Sequence, residues 1–401
     1  MLLDYINKTV CRCCSSKDLV EILDLKSQPL ANNYHNEKEV LKEYPLKLNL
    51  CKNCFHLQLS VVVDPNVLFK TYLYVSGTTQ SLRDYFDRFV KICKLYTSGK
   101  DVLDIACNDG SQLDSFKKKG YTTFGVDPAE NLYALSQLNH NVICDFWSTK
   151  IAKQLDDKDI IVAQNVFAHV DDVDEFLEAC KMVMHDDSVL FIQTSQSNMI
   201  LNNEFDTIYH EHLSFFNTTS MEKVLDKNGM SLVDVFKTDI HGSSYVFVIK
   251  KGIYTENTYV EQQVFLERNQ GLYDLDTYFK YTEKCYKVVE DLVKMVSFVK
   301  NQGKKVVGYG AAAKGNTLLN FSKIKLDYIV DDNSLKWDSY TPGSSIPICS
   351  PAVLKDEKSS DLVIIPLAWN FFDEIKHRIF NVLKINCDVK FIKYFPRVEL
   401  L

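Results

Sequence analysis

One pattern constrains the fold of this chain more than any other, and it occurs twice: a short apolar strand, a small-residue turn, a helix and another strand leading into acid. In the first copy DVLDIACNDG runs from strand into turn, SQLDSFKKKG reads as a helix closed by Gly120, and YTTFGVDP as the next strand. In the second copy KKVVGYGAAAKGNTLLNF leads to KLDYIVDD. Strand, crossover helix and parallel strand make a βαβ unit, and such units build doubly wound sheets covered by helices on both faces. IIVAQNVF, SVLFIQTS, SLVDVF and YVFVIKK extend the first copy, with helical stretches such as VDEFLEACKMVM between strands, and DLVIIPLA and DVKFIKYF extend the second.

A polar and aromatic run over residues 255–301 has helical spacing and reads as one or two helices joining the two sheets, which puts a boundary near residue 250. Residues 1–80 hold cysteine pairs and short strand-like runs (YPLKLNL, HLQLSVVV) with little helical periodicity. The expected organisation is α/β in three parts: a small metal-binding module over 1–80, a doubly wound domain over 81–250 and a second one over 251–401. A length of 401 residues suits two or three domains. A net charge of −7 gives no general attraction to phosphate backbones or anionic lipid, so nucleic acid and membrane surfaces are poor partners. The start MLLDYINKTVCRCC has no basic region, and no window reaches the ~18 apolar residues of a membrane helix. The expected location is the cytoplasm.

Five of the twelve cysteines lie within the first 54 residues. Cys11-x-x-Cys14 and Cys51-x-x-Cys54 each place two thiolates at the tip of a tight turn, together the four soft ligands of a tetrahedral zinc. Cys13 leaves an ambiguity, since a distorted turn would let it replace Cys11 or Cys14. With four protein ligands the metal has no open position and is structural, coupling its binding to folding of the module.

In the first βαβ unit, Asp104-Ile105-Ala106-Cys107-Asn108-Asp109-Gly110 follows a strand and opens a helix, where such folds bring backbone close to a nucleotide. A single glycine makes it fail as a dinucleotide fingerprint. Asp127, closing the next strand, is placed to accept both hydroxyls of an unphosphorylated ribose. Tyr209-His210-Glu211-His212, in FDTIYHEHLSFF, follows another strand at the carboxyl edge of the sheet. A His-x-His metal pair would need a third ligand, which is not evident. General-base chemistry fits better, one imidazole taking a proton while Glu211 fixes its tautomer, with His169 in NVFAHV a candidate for the same pocket. In the second unit, the turn from Gly308 through Gly310 to Lys314 and Gly315 offers N–H groups and a cation to a diphosphate, or simply close helix–strand packing.

The paired CxxC module with PLAN between, then YLYVSG, LDIACNDG, NVFAHV, FDTIYHEHLSFF, HGSS, GYGAAAKGNTLLNF, IVDD, TPGSSIPI and LAWNF occur in one order along nearly the whole chain. Together they resemble the S-adenosylmethionine-dependent sugar C-methyltransferases that act on nucleotide-linked deoxy-keto sugars. The resemblance implies a zinc module, a central class I methyltransferase domain and a C-terminal Rossmann-like domain that helps hold the nucleotide-sugar. It implies His212 as base at the sugar C-3, with Tyr209, Glu211, His169 and Tyr74 in the active site. Tyr72 lies in the same YLYVSG motif and competes with Tyr74 for that place. The cofactor contacts implied are Asp104, Ala106, Asn108, Asp109, Gly110, Asp127 and Asn165; the substrate contacts are Tyr72, His241, Gly310, Lys314, Asn316 and Asn370. Departures at His241-Gly242-Ser243-Ser244 and at Gln193-Thr194, where glutamate is common, bear on the substrate rather than the class. A monomer or weak dimer is expected. The rival readings are an NAD-dependent nucleotide-sugar oxidoreductase or epimerase, with Asp331 or Asp332 on the ribose, and a zinc-bearing scaffold without catalysis.

Overall fold

The computed structural model describes residues 4–401 except 38, 71, 73, 195–196, 239, 241–243 and 255–257. His241, an expected substrate contact, therefore lies outside the described residues. Contacts gather the chain into two units that interleave along the sequence: residues 1–20, 49–197 and 211–273 form the first, and 21–48, 198–210 and 274–401 the second. Two strands adjacent in one sheet, Leu19–Pro29 and Glu43–Cys51, carry the chain out of the first unit and back.

In the first unit seven strands, β1 (Asp101–Ile105), β2 (Thr122–Val126), β3 (Asn141–Ile143), β4 (Lys158–Gln164), β5 (Met184–Thr194), β6 (Met230–Thr238) and β7 (Ser244–Lys251), lie in the order β3-β2-β1-β4-β5-β7-β6. β1 to β5 are parallel, while β7 runs antiparallel to both β5 and β6. The connection from β6 to β7 is too short for a parallel crossover, which fixes that reversal. This is the class I methyltransferase sheet expected from the resemblance. Its strand order turns back between β1 and β4, and ligands of open α/β sheets sit beyond the carboxyl ends at such a point.

The strands are apolar on both faces. Leu103, Ile105, Ile161, Ala163, Leu190 and Ile192 feed one core, and Val102, Ile160, Val162, Val189 and Phe191 feed the other, the pattern of a sheet covered on both sides. Helix α1 (Gln80–Cys93) covers the second face because Leu82, Tyr85, Phe86, Phe89, Val90 and Cys93 recur at helical spacing and are all buried. Phe89 meets Phe191 edge to face at 5.5 Å, and Phe191→Ala, which leaves a cavity in this core, costs about 3–5 kcal/mol. The core on the first face continues without a break into Cys11, Cys13, Cys51 and Cys54. The cysteine turns are thus built onto the sheet domain rather than standing apart from it.

The joining run forms two helices, α3 (Thr258–Asn269) and α4 (Leu275–Asn301), after the short α2 (Ser111–Lys117) that follows β1. In α4, residues Tyr278, Tyr281, Cys285, Val288, Leu292, Val296 and Val299 step by three and four, so one stripe is buried. Beyond it, β8 (Lys305–Tyr309), β9 (Ile329–Val330), β10 (Ile348–Cys349), β11 (Leu362–Pro366), β12 (Lys390–Lys393) and β13 (Glu399–Leu400) form a sheet in the order β10-β9-β8-β11-β12-β13. All pairs are parallel except β12 with β13. Here the switch point falls between β8 and β11, with helix α5 (Ala313–Ser322) opening after the β8 turn. Among the described residues no helix is long and apolar enough to cross a membrane.

Candidate active site and metal centre

The four cysteines predicted as ligands converge. The sulfurs of Cys11, Cys14, Cys51 and Cys54 all lie within 4.8 Å of one another, with Cys11 to Cys54 and Cys14 to Cys51 both at 3.6 Å. A tetrahedron with metal–sulfur bonds of about 2.3 Å has edges of about 3.8 Å, so the donor set fits zinc. Each pair sits on a tight turn, closed by Ser15 N to Cys11 O at 3.0 Å and Phe55 N to Cys51 O at 2.8 Å. Cys13 stays outside the group and is buried in the adjoining core, which resolves the ambiguity in favour of Cys11 and Cys14.

The β1 turn wraps the end of β2. Ala106 N and Cys107 N donate to Val126 O at 2.7 and 3.2 Å, and Asn108 N donates to Asp127 Oδ2 at 2.8 Å. Ala106, Asn108 and Gly110 alternate in the left-handed region at φ 62°, 54° and 82°. Two of these are not glycine, and such strain collects where a ligand is held. Asp127 also accepts from Ala129 N at 2.8 Å, so both its oxygens are fixed by backbone. Asp104 is buried; desolvation, then repulsion from Asp127 and Asp109, pushes its carboxyl well above the usual range. Burial likewise raises Asp127, against the pull of its two N–H donors. Three carboxylates crowded in low dielectric favour a cationic occupant. S-adenosylmethionine, which carries a sulfonium, an ammonium and an unphosphorylated ribose, fits these residues. Asn165, at φ 57°, donates from N to Gln193 O at 2.8 Å beside the ends of β4 and β5.

A strap, residues 74–77, crosses this turn: Ser76 N donates to Asn108 Oδ1 at 2.9 Å, Gly77 N to Asp109 Oδ2 at 3.0 Å, and Asn108 Nδ2 to Tyr74 O at 3.1 Å. It separates the two tyrosines. Tyr74 is tied by its backbone to the cofactor turn, while the Tyr72 hydroxyl donates to Glu211 Oε2 at 3.4 Å. His169 lies between Phe69, stacked at 5.4 Å, and His212, stacked at 5.3 Å with 28° between planes. Phe215 meets the other side of His212 at 6.0 Å, edge-on. Burial pushes His169 down to about 4, so it is neutral at physiological pH. Tyr72, Glu211, His169 and His212 therefore form one group in the first unit.

His210 does not join it. It belongs to the second unit, where Nε2 faces the Tyr44 and Pro45 carbonyls at 3.2 and 3.3 Å and burial lowers it to about 4. Tyr209 also falls in the second unit, so the tetrapeptide straddles the crossing of the chain. At the end of β5, in the pair the sequence marks as a departure, Gln193 Nε2 and Thr194 Oγ1 are buried and have no hydrogen-bond partner among the described residues.

In the second unit the β8 turn repeats the first turn's geometry. Gly310 N donates to Val330 O at 2.8 Å, Ala311 N to Asp331 Oδ2 at 2.6 Å, and Asn333 N to Asp331 Oδ1 at 2.8 Å. Asp332 accepts from the Tyr309 hydroxyl and Arg378 Nε, both at 2.9 Å. The two acids assigned to a ribose in the NAD reading thus already have protein partners. Lys314, expected on a diphosphate, lies 5.0 Å from the Trp369 ring centroid and its charge acts on Asp206 and Glu204. Asp206 is fully buried; its Oδ2 accepts from Trp369 Nε1 at 2.8 Å and the Tyr394 hydroxyl at 3.2 Å. Desolvation raises Asp206 to about 6 and Glu204 to about 7, with Lys314 pulling both back. Nothing in the motifs announced this cluster, because a lone FD does not reveal burial. Asn316 donates to Ala31 O at 2.7 Å and to the Tyr34 hydroxyl at 3.3 Å, and Asn370 sits in the turn after β11.

Comparison with known proteins divides the chain in the same order. A putative zinc binding domain matches residues 11–69, a methyltransferase domain 74–235 and a C-methyltransferase C-terminal domain 239–396. C-methyltransferase NovU from Streptomyces niveus is 29% identical over 384 residues, covering 91% of this chain and 90% of that protein. A ubiquinone biosynthesis O-methyltransferase from Rhodopseudomonas palustris is 29% identical over 107 residues, 25% of this chain and 42% of its own length. Among solved structures, the magnesium protoporphyrin IX methyltransferase ChlM from Synechocystis PCC 6803 with bound SAM aligns with a TM-score of 0.34 at 14% identity, covering 42% of this chain and 79% of its own. The zinc-fitting cysteines, the seven-stranded sheet and the three consecutive domain matches thus make the chain similar along its length to S-adenosylmethionine-dependent C-methyltransferases.

Proposed function

We propose that this enzyme methylates C-3 of a nucleotide-linked 4-keto-deoxy sugar through an enolate formed by His212. The observation that carries the reading is the grouping of His212 with His169, Glu211 and Tyr72 in the same unit that presents Asp104 and Asp127. A C–H beside a ketone is acidic because the charge left behind delocalises onto oxygen. His212 takes that proton on a ring nitrogen, and the C–H electron pair becomes the enolate. Tyr72 or Tyr74 donates toward the developing oxyanion, and Tyr209 is the other donor that the sequence resemblance implies. Glu211 orients the group and favours the imidazolium that results. His169, kept neutral by burial, adds no competing charge beside it.

S-adenosylmethionine, held by the residues of the first turn, would supply an electrophilic methyl group for the nucleophilic carbon that His212 generates. Asp127 holds the ribose hydroxyls and Asp104 the cationic methionine end, with Ala106, Asn108, Asp109, Gly110 and Asn165 shaping the cradle. Gly310, Lys314, Asn316 and Asn370 are the second-unit residues that the sequence resemblance implies for the nucleotide-sugar, and it implies His241 as well. The sequence resemblance and the name of NovU support the reading.

His212→Asn tests it. Turnover is expected to fall by about 10²–10⁴ while S-adenosylmethionine still binds, measured by calorimetry and by mass detection of CH₂ gain on a panel of nucleotide-linked 4-keto sugars. Near-parental turnover in this variant would end the proposal.

A further inference from the structure

Arg12 stands between metal ligands Cys11 and Cys14, and its side chain is fully buried. Its Nε donates to Asp171 Oδ1 at 3.0 Å, and its Nη1 to the carbonyls of Leu59 and Leu213, both at 3.2 Å. Asp171 lies two residues past His169, and Leu213 directly follows His212. One guanidinium thus grips the chain beside each histidine of the pair. Its own backbone is locked in turn: Arg12 N donates to Gln58 Oε1 at 2.9 Å, and Gln58 Nε2 to Val10 O at 2.9 Å.

The segment after Cys54 supplies a second grip. Leu59 N donates to Leu213 O at 2.9 Å, and Ser214 and Phe215 pair with Gln58 and Leu57 as short antiparallel strands. His56 shares a 3.2 Å hydrogen bond with Ser214 Oγ and packs 4.8 Å from Phe216. Phe216 stacks at 4.9 Å on Phe167, two residues before His169. Both metal-bearing turns therefore end on the segments that carry His169 and His212.

We infer that the cysteine module is a positioning element for the His169–His212 pair and that Arg12 is the positioning residue linking them. This rests on the base role proposed for His212. A guanidinium offers donors in a fixed fork, so it serves a carboxylate and two carbonyls at once; a lysine ammonium at the same place lacks that planar geometry. Displacement of reacting groups by about 1 Å costs about 10²-fold in rate. Loss of Arg12 therefore acts on turnover before it acts on binding.

The test uses the full-length zinc-loaded enzyme, with Arg12→Lys and Asp171→Asn as variants and a thymidine-diphosphate-linked 4-keto-deoxy sugar as acceptor. Arg12→Lys is expected to keep its zinc and to bind S-adenosylmethionine within about twofold of the parent. It should lose about ten- to a hundredfold in kcat with KM changed less than about threefold. The ring signals of His169 and His212 should shift in the NMR spectrum of histidine-labelled protein. Asp171→Asn leaves both carbonyl contacts and should show the same split with a smaller loss; it carries the test alone if Arg12→Lys does not fold. Parental kcat in both variants overturns the inference, as does joint loss of zinc, cofactor binding and turnover in Asp171→Asn, which would make the Arg12 contacts a support of the fold only. Failure of the base reading looks different: His212→Asn stays active while the ring signals still move in Arg12→Lys.

Discussion

Asp127 and Asp331 occupy the same place in two different sheets. Each follows the second strand of its sheet, accepts a backbone N–H from the turn after the first strand on one oxygen, and accepts the N–H two residues ahead on the other. Their surroundings differ in charge. Around Asp127 the neighbouring charges named by its shift and that of Asp104 are carboxylates, and the turn carries strained left-handed residues. Asp331 has Lys336 at 3.5 Å, and the same ammonium donates to Ala311 O at 2.7 Å. One backbone device thus has two outcomes. The acids at the first turn repel one another and are pushed toward their neutral forms, whereas the acid at the second turn has a lysine of its own chain beside it.

The sharpest way to break this comparison is to neutralise both acids in turn. Asp127→Asn should weaken S-adenosylmethionine binding by about ten- to a hundredfold, the loss of charge-assisted bonds to ribose, while Asp331→Asn leaves that affinity unchanged. Calorimetry on the two proteins decides it, and equal losses would show that the turns are not functionally distinct.

A second measurement concerns pH. Burial raises Asp206 and Glu204 to about 6 and 7, so the folded second unit holds protons that the unfolded chain releases near pH 4. Their contribution to stability is present below about pH 4 and lost as pH rises toward 7. His169 and His56, lowered to about 4, act in the opposite sense on the first unit, losing stability as pH falls from about 6.5 to 4. Asp206→Asn should raise stability at pH 8 relative to pH 5 by an amount on the order of 1 kcal/mol compared with the parent, read by hydrogen exchange in second-unit peptides. An unchanged pH profile would mean that Asp206 titrates normally.

The smallest expected effect is at Lys336. Lys336→Met should cost about 1–2 kcal/mol of stability by removing a partly buried ion pair and the bond to Ala311, with S-adenosylmethionine affinity unaltered. A shift in cofactor affinity would show that the second turn's charge balance reaches the first.

Much of this architecture was legible in residue order. The apolar runs gave the strands, the helical spacing of residues 255–301 gave the helices that join the sheets, and the CxxC pairs gave the metal donors. Those signals are local, because strand and helix periodicity and turn-borne ligands depend on neighbours a few residues apart. The YHEH motif was only half legible: adjacency suggested four groups in one pocket, yet His210 turns to the Tyr44 and Pro45 carbonyls while His212 meets His169. Tyr72 and Tyr74 were indistinguishable by motif and separate only because the strap ties Tyr74 to Asn108.

By itself, then, the sequence determined the two doubly wound sheets, the cysteine quartet and the acid at the end of each second strand, because each is written in short-range pattern. Tertiary structure alone decided which cysteine stays out of the metal site, which histidine stacks on His169, and which acid has a lysine beside it. Those outcomes depend on contacts between segments far apart in the chain, such as Arg12 with Leu213 or Lys336 with Asp331 beside Ala311, where burial and charge are set by what the fold brings together.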